Sequence, residues 1–169
     1  MYQILLFYKY VHIDNPEATR DWFRALCEKF NLKGRLIIAT EGINITLEGT
    51  TDNTEAFIKD MEKDERFLNI HMKRSIGTGT AFPRLSVKTR NEIVTLGLGV
   101  CDIDPNQLTG IHLKPAELHQ WIMENKAASA QGFGEPREFY IVDMRNAYEH
   151  AIGRFKGSQC PPMDNFGDL

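Results

Sequence analysis

Cationic side chains recur in the segment RLSVKTR, residues 84–90. Side chains alternate between the two faces of a β-strand, so Arg84, Lys88 and Arg90 would share one face, with Leu85 and Val87 on the other. Such a row of cations can neutralise backbone phosphates, with an affinity that falls steeply as salt is added. The pattern predicts contact with phosphate or RNA; the alternative is a solvated edge strand whose charges prevent aggregation.

Further cations cluster near this segment. Residues 71–90 contain five Lys or Arg residues and no acid, whereas residues 48–65 contain seven acids and two lysines. The net charge of −3 means that any nucleic-acid contact must depend on local charge. Lys33 and Arg35 flank Gly34 at a predicted helix-to-strand corner and could extend the cationic surface. The residues predicted to bind RNA are Lys33, Arg35, Lys73, Arg74, Arg84, Lys88 and Arg90.

A second candidate site is the segment EGIN, residues 41–44. Glycine often supplies an unusual backbone angle in a turn, and asparagine a local side-chain hydrogen bond. Two interpretations of Glu41, Gly42 and Asn44 therefore stay open. They form a turn, or they form a functional loop that faces the substrate or another domain.

The first 75 residues must position these groups. Apolar runs predict strands at residues 2–11, 35–40, 44–48 and 67–75, and apolar periodicity predicts helices after Asn15 and after Asp52. The order strand, helix, strand, strand, helix, strand predicts a ferredoxin-like α+β domain (βαββαβ) over residues 1–75, with two helices on one face of an antiparallel sheet.

The run EIVTLGLG, residues 92–99, is predicted to pair with RLSVKTR in a hairpin outside that sheet. Residues 76–100 are accordingly interpreted as a basic hairpin that bridges two domains. In residues 101–169, a helix is predicted after Lys114, and FYIVDM is typical of a buried parallel strand. No partner strand follows it, so this α/β domain is expected to be incomplete.

Cysteine and histidine usage argues against a metal site or a disulfide framework. Cys27, Cys101 and Cys160 are widely spaced without a C-x-x-C pair, and the five histidines are scattered, so we predict no metal. Cys27 lies on the apolar stripe of the first helix and is predicted to be a buried, unreactive thiol. The chain has no apolar run of membrane-spanning length and no secretory leader pattern, which predicts a cytoplasmic protein.

Several motifs together carry a family resemblance. DMRNAYEHAIGRFKGS, residues 143–158, resembles the opening signature of rhodanese-like domains. LLFYKYV, LKGRLIIATEGINITLEG, AFPRLSVKTRNEIVTLG and TGIHLKPAEL resemble, in order, the rhodanese-related tRNA uridine hydroxylases. Two positions depart from the family pattern: Ile45 replaces a glycine, which suggests a strand position, and Arg154 replaces a histidine.

The resemblance implies oxygen-dependent 5-hydroxylation of the wobble uridine by a longer parent protein, with tRNA as partner and molecular oxygen as co-substrate. No other cofactor is evident. The family's reactive cysteine is expected beyond Leu169, so no catalytic residue is assigned and this chain alone is expected to be inactive. Asp143, Arg145 and Glu149 are implied to be structural residues of the rhodanese-like part. The alternatives are a rhodanese-type sulfurtransferase and a non-catalytic RNA-binding or interaction module.

Overall fold

A computed structural model of the chain describes residues 1–94, 105–108, 110–131, 140–162 and 164. The chain divides into two units, of which the first comprises Met1–Thr95 and Val100–Leu108 and the second Leu96–Gly99 and Thr109–Leu169. Among the described residues, no helix has both the length and the apolar character needed to cross a membrane.

The described residues of the first unit contain the six predicted strands and helices in the predicted order, followed by one further strand. They are β1 (Tyr2–Tyr10), α1 (Pro16–Lys29), β2 (Lys33–Ala39), β3 (Gly42–Thr50), α2 (Thr51–Met61), β4 (Lys73–Gly77) and β5 (Leu85–Thr89). The Asn15 side chain accepts a hydrogen bond from the Ala18 N–H (3.0 Å) and so caps α1. α2 begins at Thr51, one residue before Asp52. Its cap is therefore Thr50, whose side chain accepts a hydrogen bond from the Asn53 N–H (3.3 Å).

The sheet of the first unit has the strand order β4-β1-β3-β2-β5. β1 is antiparallel to both β3 and β4, and β2 is antiparallel to β3. The two helices cover one face, where the core contains Phe7, Phe23, Leu36, Phe57 and other fully buried apolar residues. The prediction of a ferredoxin-like α+β domain is therefore confirmed. Ile45, which departs from the family pattern, is fully buried in β3.

Strand β5 was predicted to lie in a bridging hairpin, and this prediction is wrong. β5 pairs in parallel with β2 and forms an edge of the sheet. The physical reason is its apolar face: Val87 is buried in the core, and the Arg24 guanidinium donates to the Val87 carbonyl (3.0 Å). Residues 92–94 of the expected partner run carry no strand, and residues 95–99 lie outside the described residues.

The second unit contains α3 (Pro115–Gln131) and α4 (Ala147–Ile152). Its described residues include no buried side chain. Phe139 of the predicted strand FYIVDM lies outside the described residues; among residues 140–144, only Val142 pairs, in an isolated parallel bridge with Gln159. Val142 is 48% exposed and Tyr140 is 65% exposed, so this run is not covered in this chain, and its assignment to an incomplete α/β domain stays a prediction. A buried parallel strand needs neighbours on both sides.

Candidate nucleic-acid interface

The face of the sheet opposite α1 and α2, called the open face, carries most of the predicted cations. Directly paired residues on neighbouring strands point to the same face. One row across the sheet therefore contains Lys73, Leu6, Thr46, Arg35 and Ser86. The next row toward the β2–β3 turn contains Tyr8, Asn44, Ile37 and Lys88. On the other side, a row contains Ser75, Ile4, Glu48 and Lys33.

Arg84 and Arg90 flank β5 at its two ends and continue its pairing with β2. The Gly34 N–H donates to the Arg84 carbonyl (3.3 Å), and the Arg90 N–H donates to the Ile38 carbonyl (2.9 Å). Both arginines are exposed, as is Lys88 between them. The alternation predicted for residues 84–90 is thus present in the structure, where the apolar positions face the core.

Six of the seven predicted cations are exposed and lie on the open face or at the ends of β5. They are Lys33, Arg35, Lys73, Arg84, Lys88 and Arg90. Within the part of the chain that the structure describes, none of the six has an acidic partner at ion-pair distance. Their charges are therefore available to an anionic ligand.

Arg74 is the exception among the seven cations predicted to bind RNA, because it lies neither on the open face nor at an end of β5. It follows Lys73 in β4, and neighbouring residues of a strand face opposite sides of the sheet. Its side chain reaches the helix-covered side, where the guanidinium forms an ion pair with Glu55 of α2 (Nη2 to Oε2, 3.3 Å). This pairing lowers the pKa of the Glu55 carboxyl.

The centre of the open face is apolar and aromatic rather than charged. Leu6 is 43% exposed and Tyr8 is 60% exposed, although both lie on the second strand from the edge of the sheet. The Tyr8 ring packs edge-on against the Tyr10 ring, with 6.2 Å between their centroids.

One border of the open face is a loop, residues 78–83, fastened by Glu48. The N–H groups of Thr78, Gly79 and Ala81 donate to the Glu48 carboxylate at 2.8, 2.7 and 2.8 Å. Burial by itself would raise the pKa of this carboxyl, but the N–H groups of the loop outweigh it and the pKa is lowered. Gly79 has φ +83° and lies against the Tyr2 ring, so a side chain there would be strained.

Sequence reasoning missed this role of Glu48, which it counted only as one acid in an acidic stretch. The N–H donors come from residues thirty or more positions later in the chain. A usable signal was present nevertheless: a single acid stands among apolar and small residues in β3, where an unpaired carboxylate would be costly to bury.

The opposite border is fastened by the EGIN turn. The Glu41 carboxylate accepts from the Ile93 N–H (2.6 Å), and the Asn44 side-chain amide donates to the Ile93 carbonyl (3.1 Å). Gly42 has φ +153°, and a Cβ there would stand 2.1 Å from the Lys9 carbonyl oxygen, so only glycine fits. These residues thus hold the segment 91–94 in place, and Ile93 is buried. A direct role in substrate contact stays a prediction.

In the second unit, Asp143 and Arg145 form a bidentate pair. The Arg145 guanidinium donates to the two Asp143 carboxylate oxygens at 2.9 and 2.7 Å, and also to the Gly153 carbonyl at the end of α4 (2.7 Å). The guanidinium holds the pKa of Asp143 at about 2. Glu149 bonds the Asn146 N–H (3.3 Å) at the start of α4. Arg145 thus contacts the C-terminal end of α4, and Glu149 caps the N-terminal end of the same helix.

Neither the thiols nor the acids of the described residues form a recognisable catalytic or metal centre. The described part of the chain contains no group of three or more His, Cys, Asp or Glu residues placed to hold a metal ion. The prediction that Cys27 is buried is confirmed, and burial raises the pKa of its thiol to about 12, which disfavours the reactive thiolate. Cys160 is half-buried, and Cys101 lies outside the described residues.

Comparison with known proteins assigns the chain to a family. A model described as the UPF0176 acylphosphatase like domain matches residues 2–93, which is more than half of the chain. The chain belongs to this family. The matched range contains the whole five-stranded sheet, including β5.

Curated relatives extend the match to nearly the whole chain. A protein of Bacillus licheniformis and one of Enterococcus faecalis, both named tRNA uridine(34) hydroxylase, are 39% and 38% identical over 99% of this chain. The chain spans about half the length of these relatives, 48% and 49% respectively. Among solved structures, an acylphosphatase from Bacillus subtilis is 16% identical, with a TM-score of 0.42, and the match covers 52% of this chain and 99% of that one.

The predicted family relationship is thereby confirmed. The matched family model ends at residue 93, so the assignment of residues 101–169 to a rhodanese-like domain stays a prediction.

Proposed function

We propose that this chain is the substrate-binding part of an enzyme that hydroxylates C5 of the wobble uridine of tRNA. The observation that carries the proposal is the similarity to relatives named tRNA uridine(34) hydroxylase over 99% of the chain. Because the chain spans about half of their length, the activity is proposed for the protein as a whole. A tRNA substrate would place that protein in the cytoplasm.

The geometry of the first unit supports a role in holding tRNA. Six exposed cations, which have no acidic partner among the described residues, lie on or beside one face, and a polyanionic backbone is the ligand that such a surface favours. Binding releases condensed counterions, so its affinity should fall steeply as salt rises. The acids of α2 lie on the other side of the sheet and do not oppose this contact.

The proposed reaction replaces the C5–H bond of uridine by C5–OH. One atom of molecular oxygen enters the base, and the other is reduced to water with electrons and protons from a two-electron reductant. No group of this chain is assigned to the oxygen chemistry. Its own residues bind and orient the RNA.

The experiment uses tRNA from a strain that lacks the gene, together with the complete protein encoded by it. We expect mass spectrometry to find one added oxygen atom at the wobble uridine after incubation in air, and none under anaerobic conditions. Isotopically labelled oxygen gas should label the product, whereas labelled water should not. A tRNA with cytidine at the wobble position is the matched control.

Failure to incorporate oxygen from the gas into an unmodified wobble uridine would contradict the proposal. The motif at residues 143–158 keeps rhodanese-type sulfur transfer as a second candidate. It would replace the hydroxylase proposal if the complete protein transfers thiosulfate sulfur to cyanide rapidly and leaves the tRNA unchanged.

A further inference from the structure

The centre of the open face exposes an aliphatic and an aromatic side chain side by side. Leu6 and Tyr8 are two positions apart on β1, so they point to the same face, and they are 43% and 60% exposed. A single exposed apolar residue on a protein surface needs no explanation. Two neighbouring ones on the open face, with cations in the same two rows, form a defined surface.

Cations stand on both sides of this apolar centre. Lys73 is paired with Leu6 on one side, and Arg35 lies in the same row two strands away on the other. With neighbouring strands about 4.8 Å apart, these backbone positions lie roughly 5 and 10 Å from Leu6. Lys88 occupies the row of Tyr8. A ligand at the centre would therefore meet positive charge at both of its edges.

The surface is fixed before any ligand binds. The Glu48 carboxylate holds the loop 78–83 at one border, and Glu41 and Asn44 hold the segment 91–94 at the other. Tyr8 itself lies in β1 and is paired with Asn44 of β3, whose side chain bonds the Ile93 carbonyl. Aromatic side chains on a rigid strand need little ordering on binding, which favours affinity.

We propose that Leu6 and Tyr8 form a stacking platform for unpaired RNA bases, with Lys73, Arg35 and Lys88 contacting the phosphates beside them. The proposal rests on the proposed function and names the part of the tRNA involved, an unpaired loop rather than a duplex stem. Bases in an A-form duplex are stacked on each other, whereas unpaired bases are free to stack on an aromatic ring. An acidic protein would satisfy the cations but gives no reason for an open tyrosine ring among them.

The test measures binding of the 169-residue chain to a fluorescein-labelled oligouridine of about eight nucleotides, a length that such surfaces accommodate. A blunt RNA duplex of equal charge serves as the comparison. We expect Tyr8→Ala to weaken oligouridine binding by about 5- to 150-fold, the range that corresponds to loss of one stacked base. Tyr8→Phe keeps the ring and should keep the affinity. Neither substitution should alter the salt dependence or the affinity for the duplex.

Thermal unfolding of the Tyr8 variants checks that they fold, and the unchanged affinity for the duplex checks it independently. The proposal is overturned if Tyr8→Ala binds oligouridine as well as the unchanged chain does, or if Tyr8→Phe loses as much affinity as Tyr8→Ala. It is also overturned if polyglutamate displaces the oligouridine as effectively as unlabelled oligouridine, since binding would then depend on charge alone.

The outcome is separable from that of the proposed function. Dependence of oligouridine binding on the Tyr8 ring supports the stacking platform even if no oxygen is incorporated into tRNA. Conversely, hydroxylation by the complete protein combined with unchanged binding by Tyr8→Ala supports the enzyme and overturns the stacking platform.

Discussion

Among single residues, Glu48 has the largest structural consequence for the open face. Its carboxylate is 3% exposed and receives three backbone N–H groups from the loop that joins β4 to β5. Those two strands lie at opposite edges of the sheet, so the loop must pass across β1, β3 and β2 to connect them. The Glu48 carboxylate therefore fixes the position of the loop 78–83 at this end of the sheet.

We expect Glu48→Gln to lower the free energy of unfolding by about 1–3 kcal/mol at neutral pH, because charge-assisted hydrogen bonds to the loop are lost. The pKa of Glu48 in the folded chain lies below the ordinary value of 4.5. Between these two pKa values the unfolded chain binds more protons than the folded chain, so the free energy of unfolding rises with pH there. The difference in free energy of unfolding between the unchanged chain and Glu48→Gln should therefore be constant above pH 4.5 and shrink as the pH falls through the folded pKa of Glu48. Urea unfolding at several pH values measures it.

Glu28→Gln is the matched control, since Glu28 is an exposed acid of α1. Its effect should stay within about 0.5 kcal/mol. Equal stability of the Glu48 and Glu28 variants at neutral pH would show that the carboxylate does not hold the loop.

The neighbours Lys73 and Arg74 provide an internal comparison for RNA binding. Lys73→Ala removes a cation from the open face, so we expect weaker tRNA binding and a salt slope smaller by about one unit. Arg74→Ala removes an equal charge from the helix-covered side and should change neither quantity appreciably. Titrations at several salt concentrations, with both variants in parallel, measure the slopes. Equal losses from the two variants would place the RNA elsewhere.

Among the elements, β5 shows what the sequence could and could not predict. Alternation in residues 84–90 correctly separated the cationic from the apolar face, because that property is local. The partner of the strand is a non-local property, and proximity along the chain favoured a hairpin with residues 92–99. The structure pairs β5 with β2, about fifty residues earlier, because α1 and β2 offer a surface that buries Val87.

The position of β5 predicts a difference between its two faces. Val87→Ala should lower the free energy of unfolding by about 1–3 kcal/mol, because it removes buried methyl groups from the core shared with α1. Lys88→Ala, on the open face, should change it by no more than about 0.5 kcal/mol. Chemical denaturation of both variants gives the comparison. A stable Val87→Ala variant would argue that the strand does not belong to the sheet.

For the candidate site, as for β5, the sequence predicted some properties and not others. Cations at alternate positions pointed to the open face, and the glycine of EGIN was correctly interpreted as a backbone requirement. Lys73 and Arg74 were both predicted to bind RNA because they belong to the acid-free stretch 71–90, although neighbouring residues of a strand face opposite sides of the sheet. Leu6 and Tyr8 looked like core residues, because an apolar run does not reveal that one of its two faces is uncovered.

For the whole molecule, charge is divided between the two sides of the first unit. The cations of the open face have no acidic partner in the part of the chain that the structure describes, whereas Asp60 on the helix side is paired with Lys29 and Lys63 at 2.5 and 2.6 Å. Such a division lets a chain of net charge −3 attract an RNA backbone to one face. The core of the described residues belongs to the first unit alone, since every buried apolar residue among them lies between Leu5 and Ile93.

This distribution of the core predicts that the first unit folds and binds RNA independently. A chain of residues 1–108 contains the sheet, both of its helices and all six open-face cations. We expect it to unfold cooperatively in urea and to bind the labelled oligouridine with the same dependence on Tyr8 as the 169-residue chain. Residues 109–169, tested alone, should show neither property, because their described part has no buried side chain to drive folding. Cooperative unfolding of residues 109–169, or loss of oligouridine binding by residues 1–108, would contradict this assignment.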